Sequence, residues 1–168
     1  MVKKIRMNDI PIVAFSAWSG TGKTTILEKL IHILKQKGLR LAVIKHDAHE
    51  FEIDKEGKDS WRFTQAGADV MILSSEAKTA VIEQRQLGLK ELLLKIQDVD
   101  LILVEGYNDE ELPRIGISRK ATGRGLRLPV EQHIAVITDE EMTGEIPVFA
   151  LDDVEGVAEF LLDKFLAL

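Results

Sequence analysis

Ala17-Trp18-Ser19-Gly20-Thr21-Gly22-Lys23-Thr24-Thr25 is the stretch that decides the fold of this 168-residue chain. An apolar run at residues 10–15 precedes it, and an amphipathic helix pattern follows it. In a strand–turn–helix unit of this kind, backbone N–H groups of the turn point at an anion, and the helix N-terminus adds positive potential. The stretch therefore predicts a phosphate-binding loop. It departs from the usual G-x-x-x-x-G-K-[ST] pattern because Ala17 stands where the first glycine is expected.

The loop residues have separate expected tasks. Lys23 would reach the β- and γ-phosphates, which makes it a catalytic candidate, and the Thr24 hydroxyl would bind Mg²⁺. The residues expected to hold the phosphates are Ser19, Gly20, Thr21, Gly22, Lys23, Thr24 and Thr25.

A carboxylate near Thr24 is needed to complete such a magnesium site, usually through water. Glu105 is the best candidate, because it closes the apolar strand predicted at residues 101–104. It would act as the second magnesium group and second catalytic candidate, by orienting water on the metal or the attacking water. The alternative is an ordinary solvent-exposed glutamate at a strand end.

The pattern of apolar residues predicts an α/β fold of the P-loop NTPase type. Its mostly parallel sheet is expected to have helices on both faces and some antiparallel strands, all in one domain over residues 1–168. Strands are expected at residues 41–45, 69–73, 80–83, 101–104, 115–117 and 134–137, with a possible edge strand at 51–53. Helices are expected at about 23–37, from Asp59 or Ser60 to residue 66, at 89–96, and after Asp152 or Asp153.

Composition excludes several classes of protein. The chain has no cysteine, which rules out disulfides, zinc–thiolate sites and thiol nucleophiles and fits a reducing cytosol. Its net charge of −6 is unlike that of a general nucleic-acid binder. No apolar run reaches the ~18 residues of a membrane span, and the first ten residues have no apolar signal core. We therefore expect a cytoplasmic protein with no nucleic-acid partner and no membrane partner.

The polar segment at residues 45–54 has three possible interpretations. It is a switch-like loop in which Asp47 or Asp54 joins the magnesium shell, a separate metal site built from His46 and His49, or a solvated loop. Downstream, Lys58 is placed either to approach phosphate or to start a helix.

A second unusual segment, residues 118–127, has four basic residues and two glycines in an acidic protein. It would close over an anionic substrate, supply charge to a transferring phosphoryl group, dock a partner, or remain a mobile solvated loop.

The loop at residues 17–25, Ile44-Lys45-His46, the segment Asp54-Lys55-Glu56-Gly57-Lys58-Asp59-Ser60 and the strand Leu101-Ile102-Leu103-Val104-Glu105-Gly106 together resemble the MobB family. This is the molybdopterin-guanine dinucleotide biosynthesis protein B family, and the resemblance extends to the final helix. The Ala17 departure also looks familiar within that family.

The resemblance implies a Mg²⁺- and GTP-binding homodimer with weak GTPase activity. It would act as an adapter beside the molybdopterin guanylyltransferase, with molybdopterin or a molybdoenzyme as further possible partners. It also implies that His46, Asp54, Lys58 and Asp59 surround the nucleotide. The guanine-reading N-K-x-D motif is absent, so Thr138-Asp139 is only a positional candidate. From the residues alone, a small-molecule kinase or a non-hydrolysing nucleotide-binding scaffold stays open.

Overall fold

A computed structural model describes residues 6–7, 9–46 and 51–166 of the chain. These residues divide into two compact units. The first, called here the sheet unit, takes its described residues from Met1–His46 and Leu93–Leu168, and the second, the hairpin unit, from Asp47–Leu92. That residues 1–168 form a single domain stays a prediction.

The described residues form nine strands and four α-helices. The strands are β1 (Arg6–Met7), β2 (Ile10–Ala17), β3 (Leu41–Lys45), β4 (Val70–Ser74), β5 (Thr79–Glu83), β6 (Leu101–Glu105), β7 (Arg114–Ile117), β8 (Ala135–Ile137) and β9 (Val148–Phe149). The helices are α1 (Lys23–Gln36), α2 (Asp59–Gln65), α3 (Leu89–Leu94) and α4 (Val154–Leu161). Among the described residues, no helix is both long and apolar enough to cross a bilayer.

The sheet unit is built on strands in the order β3-β6-β2-β7-β8-β9, each parallel to its neighbour, with β1 antiparallel to β2. The predicted α/β class is therefore confirmed. Lys45, Glu105 and Phe15 are neighbours across three strands, so the carboxyl ends of β3 and β6 reach the same edge. Ile117 and Ile137 are neighbours in the same way at the ends of β7 and β8.

Helices α1 and α4 cover one face of this sheet, where alternate strand residues and both helices share one apolar core. Leu30, Leu34 and Phe165 are fully buried in it. Each such side chain contributes about 1.5–3 kcal/mol relative to exposure. Helix α1 ends as predicted, because Gly38 adopts a φ of 86° and donates its N–H to Lys35, while Leu39 donates to Leu34.

Helix α4 begins at a cap that the sequence predicts. The Asp153 carboxylate accepts a hydrogen bond from the N–H of Gly156 at 3.0 Å. This bond satisfies one of the helix's first N–H groups, a contribution of about 1 kcal/mol.

The hairpin unit contains α2 and the antiparallel pair β4–β5, as predicted, with Ile72 opposite Val81. Two expectations in this unit are wrong. Residues 51–53 form no strand, and Phe51 and Ile53 are exposed. The alternation of only two apolar residues is too short a pattern to define a strand. The N-cap of α2 is Lys58, not Asp59 or Ser60, and Asp59 instead lies in the first turn, where its charge complements the helix dipole.

Candidate functional site

The predicted phosphate loop joins β2 to α1 at the edge of the sheet that is formed by the carboxyl ends of its parallel strands. Gly20 and Gly22 have φ values of 83° and 88°, a region that other residues rarely adopt. A Cβ added at Gly20 would meet nothing within 4 Å, so the backbone conformation rather than crowding requires glycine there. Gly22 is the N-cap of α1 and makes no side-chain cap bond. The first N–H groups of α1 therefore receive no side-chain cap from Gly22, an arrangement that fits a phosphate-binding helix start.

Thr21 closes this loop from within. Its side chain is fully buried, and both its hydroxyl and its N–H donate to the carbonyl of Trp18, at 3.0 and 3.4 Å. Thr21 was expected among the phosphate-binding residues. The structure gives its side chain the task of holding the shape of the loop.

Lys23 and Glu105 meet at the end of this loop. The Lys23 ammonium lies 2.9 Å from a Glu105 carboxylate oxygen, with both side chains mostly but not fully buried. Glu105 reaches this place because β6 is paired in parallel with β2, which puts it beside Phe15. Thr24 follows Lys23 in the first turn of α1 and is exposed, as is Thr25. The lysine and the hydroxyl expected around a magnesium–phosphate group thus come from the start of α1, and the carboxylate from the end of β6.

His46 also lies at this edge. Its backbone N–H donates to the carbonyl of Glu105 at 2.9 Å, and its ring lies 4.6 Å from that of Tyr107. Gly106 has a φ of 92°, and a Cβ there would lie only 3.0 Å from the Cβ of His46. The close approach of these two loops therefore requires the glycine of the Glu105-Gly106 pair.

Arg114 supports the same loop and was missed by the sequence reasoning. Only 2% of this residue is exposed, and its guanidinium donates to the carbonyls of Gly106, Tyr107 and Glu110 at 3.3, 2.9 and 2.9 Å. Burial lowers the pKa of Arg114, an effect that the nearby Asp109 opposes. A charged residue at the start of the apolar strand β7 was the available signal, since arginine is rarely buried unless it is paired.

Five further predicted site residues lie outside the described part of the sheet unit. Asp54, Lys58 and Asp59 belong to the hairpin unit, where Asp54 accepts from the N–H of Lys55 at 2.8 Å. Asp47 and His49 lie outside the described residues. Within the described part of the chain, no cluster of three metal-ligating side chains occurs. The roles of these residues around the nucleotide stay predictions.

The basic segment, residues 118–127, lies against the phosphate loop. The Arg119 Nε donates to the carbonyl of Thr21 at 3.0 Å. Arg124 and Arg127 lie over the ring of Trp18, with their guanidinium carbons 5.7 and 5.3 Å from its centroid. These contacts disfavour one of the possibilities left open by the sequence, a mobile solvated loop.

The positional candidate for base recognition, Thr138-Asp139, follows β8 at the same edge. The Thr138 hydroxyl shares a 2.8 Å hydrogen bond with that of Ser118. Asp139 accepts from the N–H of Lys120 at 2.6 Å. Both residues therefore anchor the start of the basic segment.

A buried pair on the sheet also escaped the sequence reasoning. The Ser16 hydroxyl and His133 Nε2 share a 2.9 Å hydrogen bond, and both residues are buried. Burial lowers the pKa of His133, and Arg114 adds to this effect, while the carbonyls of Pro129 and Val130 and the charge of Glu131 oppose it.

Comparison with known proteins gives a consistent result. Residues 12–139 match the MobB family model, described as molybdopterin guanine dinucleotide synthesis protein B. The chain is 40% identical over 162 residues to the molybdopterin-guanine dinucleotide biosynthesis adapter protein of Escherichia coli K12, covering 92% of this chain and 93% of that protein. It is 34% identical over 158 residues to the adapter protein of Haemophilus influenzae, covering 92% and 89%. The crystal structure of Bacillus subtilis MobB aligns with a TM-score of 0.74 at 28% identity, covering 93% of this chain and 98% of that one.

Proposed function

The chain belongs to the molybdopterin guanine dinucleotide synthesis protein B family, and from that premise we propose that it is an adapter in molybdopterin guanine dinucleotide biosynthesis that binds Mg²⁺–GTP and hydrolyses it slowly. The observation that supports nucleotide binding best is the Lys23–Glu105 pair, which lies beside a glycine loop at the carboxyl edge of a parallel sheet. Ligands of open α/β sheets bind at that edge.

The loop residues would divide the work of binding. Backbone N–H groups of the first turn of α1 would hold the phosphates, with Gly22 allowing the backbone to approach them. Lys23 would exchange its carboxylate partner for phosphate oxygens. Mg²⁺, when bound, would neutralise phosphate charge, and Thr24 and Glu105 are the residues that would hold it. Glu105, released from Lys23, would also orient water.

Slow hydrolysis is the expected rate for this arrangement. An arginine that stabilises the transferring phosphoryl group is worth about 10³–10⁵-fold in rate. Arg119 is bonded instead to the carbonyl of Thr21. In a trans peptide the Thr21 carbonyl and the Gly22 N–H point in opposite directions, so this arginine lies on the side of the loop away from that N–H.

From family membership we also propose a preference for guanine, a guanylyltransferase partner and a cytoplasmic location. Contacts with molybdopterin or a molybdoenzyme are proposed on the same ground.

A homodimer has further support in the hairpin unit. Val70, Ile72 and Val81 are each more than half exposed on β4 and β5. A two-stranded ribbon with exposed apolar side chains is marginal alone, and a second copy would cover it.

Analysis of reaction products tests the proposed activity. The protein is incubated with Mg²⁺ and GTP, alone and with molybdopterin and candidate acceptors, beside Lys23→Ala as control. The proposal expects slow release of inorganic phosphate that Lys23→Ala abolishes. A phosphorylated acceptor would indicate a kinase instead, and unchanged GTP with intact binding would indicate a non-hydrolysing scaffold.

A further inference from the structure

The basic segment concentrates positive charge at one place on an acidic protein. The chain carries a net charge of −6, whereas residues 118–127 contain four basic and no acidic residues. Arg124 and Arg127 are exposed, and the contact that the structure describes for each is with Trp18 rather than with a carboxylate. Their charge is therefore available to a negative group from outside.

Trp18 contacts both of these arginines. Both guanidinium carbons lie within 6 Å of the centroid of one indole ring, a separation typical of cation–π contact. Contact with the ring does not consume the N–H groups of a guanidinium, which can bind a carboxylate in a two-pronged fashion. Two such donors thus lie beside one indole ring.

The segment is also anchored at several points. Asp139 accepts from the N–H of Lys120 at 2.6 Å, and Arg119 donates to Thr21. Leu126 packs on the sheet, where its Cδ2 lies 2.9 Å from the position of a Cβ at Gly116. These anchors reduce the entropy that the segment would lose when it binds a partner.

Trp18, Arg124 and Arg127 are not among the residues expected to hold the phosphates, which are residues 19–25. Arg119 is bonded on the carbonyl side of the Thr21–Gly22 peptide, opposite the Gly22 N–H. Trp18 precedes the glycine turn, and its indole N–H is buried with no acceptor among the described residues. An unsatisfied buried donor is costly, so the loop at Trp18 gains from any change that gives this N–H an oxygen acceptor.

We propose that Trp18, Arg124 and Arg127 form a docking surface for an acidic patch on another protein, the guanylyltransferase partner of the function proposed above, on which this inference rests. Tryptophan and arginine are the residue types that most often dominate the energy of protein interfaces. The carboxylates of the partner bind the outer N–H edges of the two guanidinium groups. Electrostatic attraction steers the encounter.

This docking surface is coupled to the nucleotide site. Trp18 and Thr21 belong to the loop that holds phosphate, and Thr21 bonds both to Trp18 and to Arg119. A nucleotide that changes the loop therefore changes the affinity for the partner, and the partner changes nucleotide affinity by the same factor.

The test measures binding of the purified guanylyltransferase to the full-length chain by surface plasmon resonance, with and without GTP. Arg124→Gln/Arg127→Gln is compared with Arg40→Gln/Lys29→Gln, which removes two exposed charges elsewhere on the sheet unit. We expect the first pair to weaken partner binding about 10-fold or more, with the larger change in association rate at low salt, and the second pair to have little effect. Both should bind GTP like the wild type, which shows that they are folded.

The other outcomes separate the two proposals. No binding by the wild-type chain overturns the guanylyltransferase partnership and the docking surface together. Wild-type binding that Arg124→Gln/Arg127→Gln leaves intact overturns the docking surface alone. If Arg124→Gln/Arg127→Gln loses as much affinity for GTP as for the partner, these arginines belong to the nucleotide site, and this result too would overturn the docking surface. Sodium phosphate should inhibit only as strongly as sodium chloride at equal ionic strength, and stronger inhibition would indicate a small-anion site instead.

Discussion

The parallel sheet and the β4–β5 hairpin use the same kinds of side chain but bury them very differently. Ile115 in β7 is 0% exposed, whereas Ile72 in β4 is 58% exposed and Val81 opposite it 57%. The sheet has α1 and α4 against one face and shares a continuous core with them. The difference indicates that the sheet unit supplies stability and carries the proposed nucleotide site, while the apolar surface of the hairpin is exposed.

The largest effect on stability should come from the sheet. Ile115→Ala removes buried methyl groups from the core and should lower the free energy of unfolding by about 2–5 kcal/mol. Urea denaturation followed by circular dichroism measures it at low protein concentration. A loss no larger than that caused by Ile72→Ala would contradict the contrast between the two regions.

Lys23→Ala should have the next largest effect, and on binding rather than on folding. The substitution removes a charge-assisted contact to phosphate worth about 1.5–3 kcal/mol, equivalent to a loss of about 10–150-fold in nucleotide affinity. Lys29→Ala, which removes an exposed charge from the same helix, is the matched control. Near-normal binding of GTP and ATP by Lys23→Ala would show that the nucleotide does not bind at this edge of the sheet.

The sequence predicts the parts of the molecule that depend on local pattern. Helix α1, the strands β3 and β6 and the cap at Asp153 follow from periodicity and from residues that act within a few positions of each other. The strand expected at residues 51–53 failed because a strand exists only with a partner, which a local pattern does not reveal. Strands β1 and β9, of two residues each, are too short to carry a pattern.

The candidate site could likewise be predicted from the sequence only in part. The glycine loop and Glu105 could be placed together, since parallel strands bring their carboxyl ends to one edge. The stacking of Arg124 and Arg127 on Trp18, more than a hundred residues away in sequence, could not. Such contacts depend on how a loop packs after the sheet has formed.

His133 allows a pH test of the buried sheet, with a smaller expected effect because one ring titrates. Its pKa is lowered by burial, so below the ordinary value of about 6.5 the unfolded chain takes up the proton more readily than the folded one. Stability should therefore be unaffected above about pH 6.5 and fall as the pH decreases below it. Denaturation at several pH values checks this against His133→Gln, which should show a shallower decline. Identical pH profiles for the two proteins would contradict the buried neutral ring.

The hairpin should show the smallest effect on unfolding. Ile72→Ser/Val81→Ser replaces exposed side chains, so it should change the stability of the monomer by only about 0.5 kcal/mol and leave GTP affinity unchanged. Sedimentation velocity should show a wild-type dimer that this variant dissociates. A wild-type monomer, or a dimer that the variant leaves intact, would contradict the proposed role of the hairpin surface.

Nucleotide preference measured by isothermal titration calorimetry tests the central claim, that the edge formed by the glycine loop, Lys23 and Glu105 binds GTP with Mg²⁺. Wild-type protein is titrated with GTP and with ATP in the presence of Mg²⁺, and again without it. The account predicts that GTP binds more tightly than ATP and that removing Mg²⁺ weakens binding. Equal or tighter binding of ATP, or no binding of either nucleotide, would contradict it.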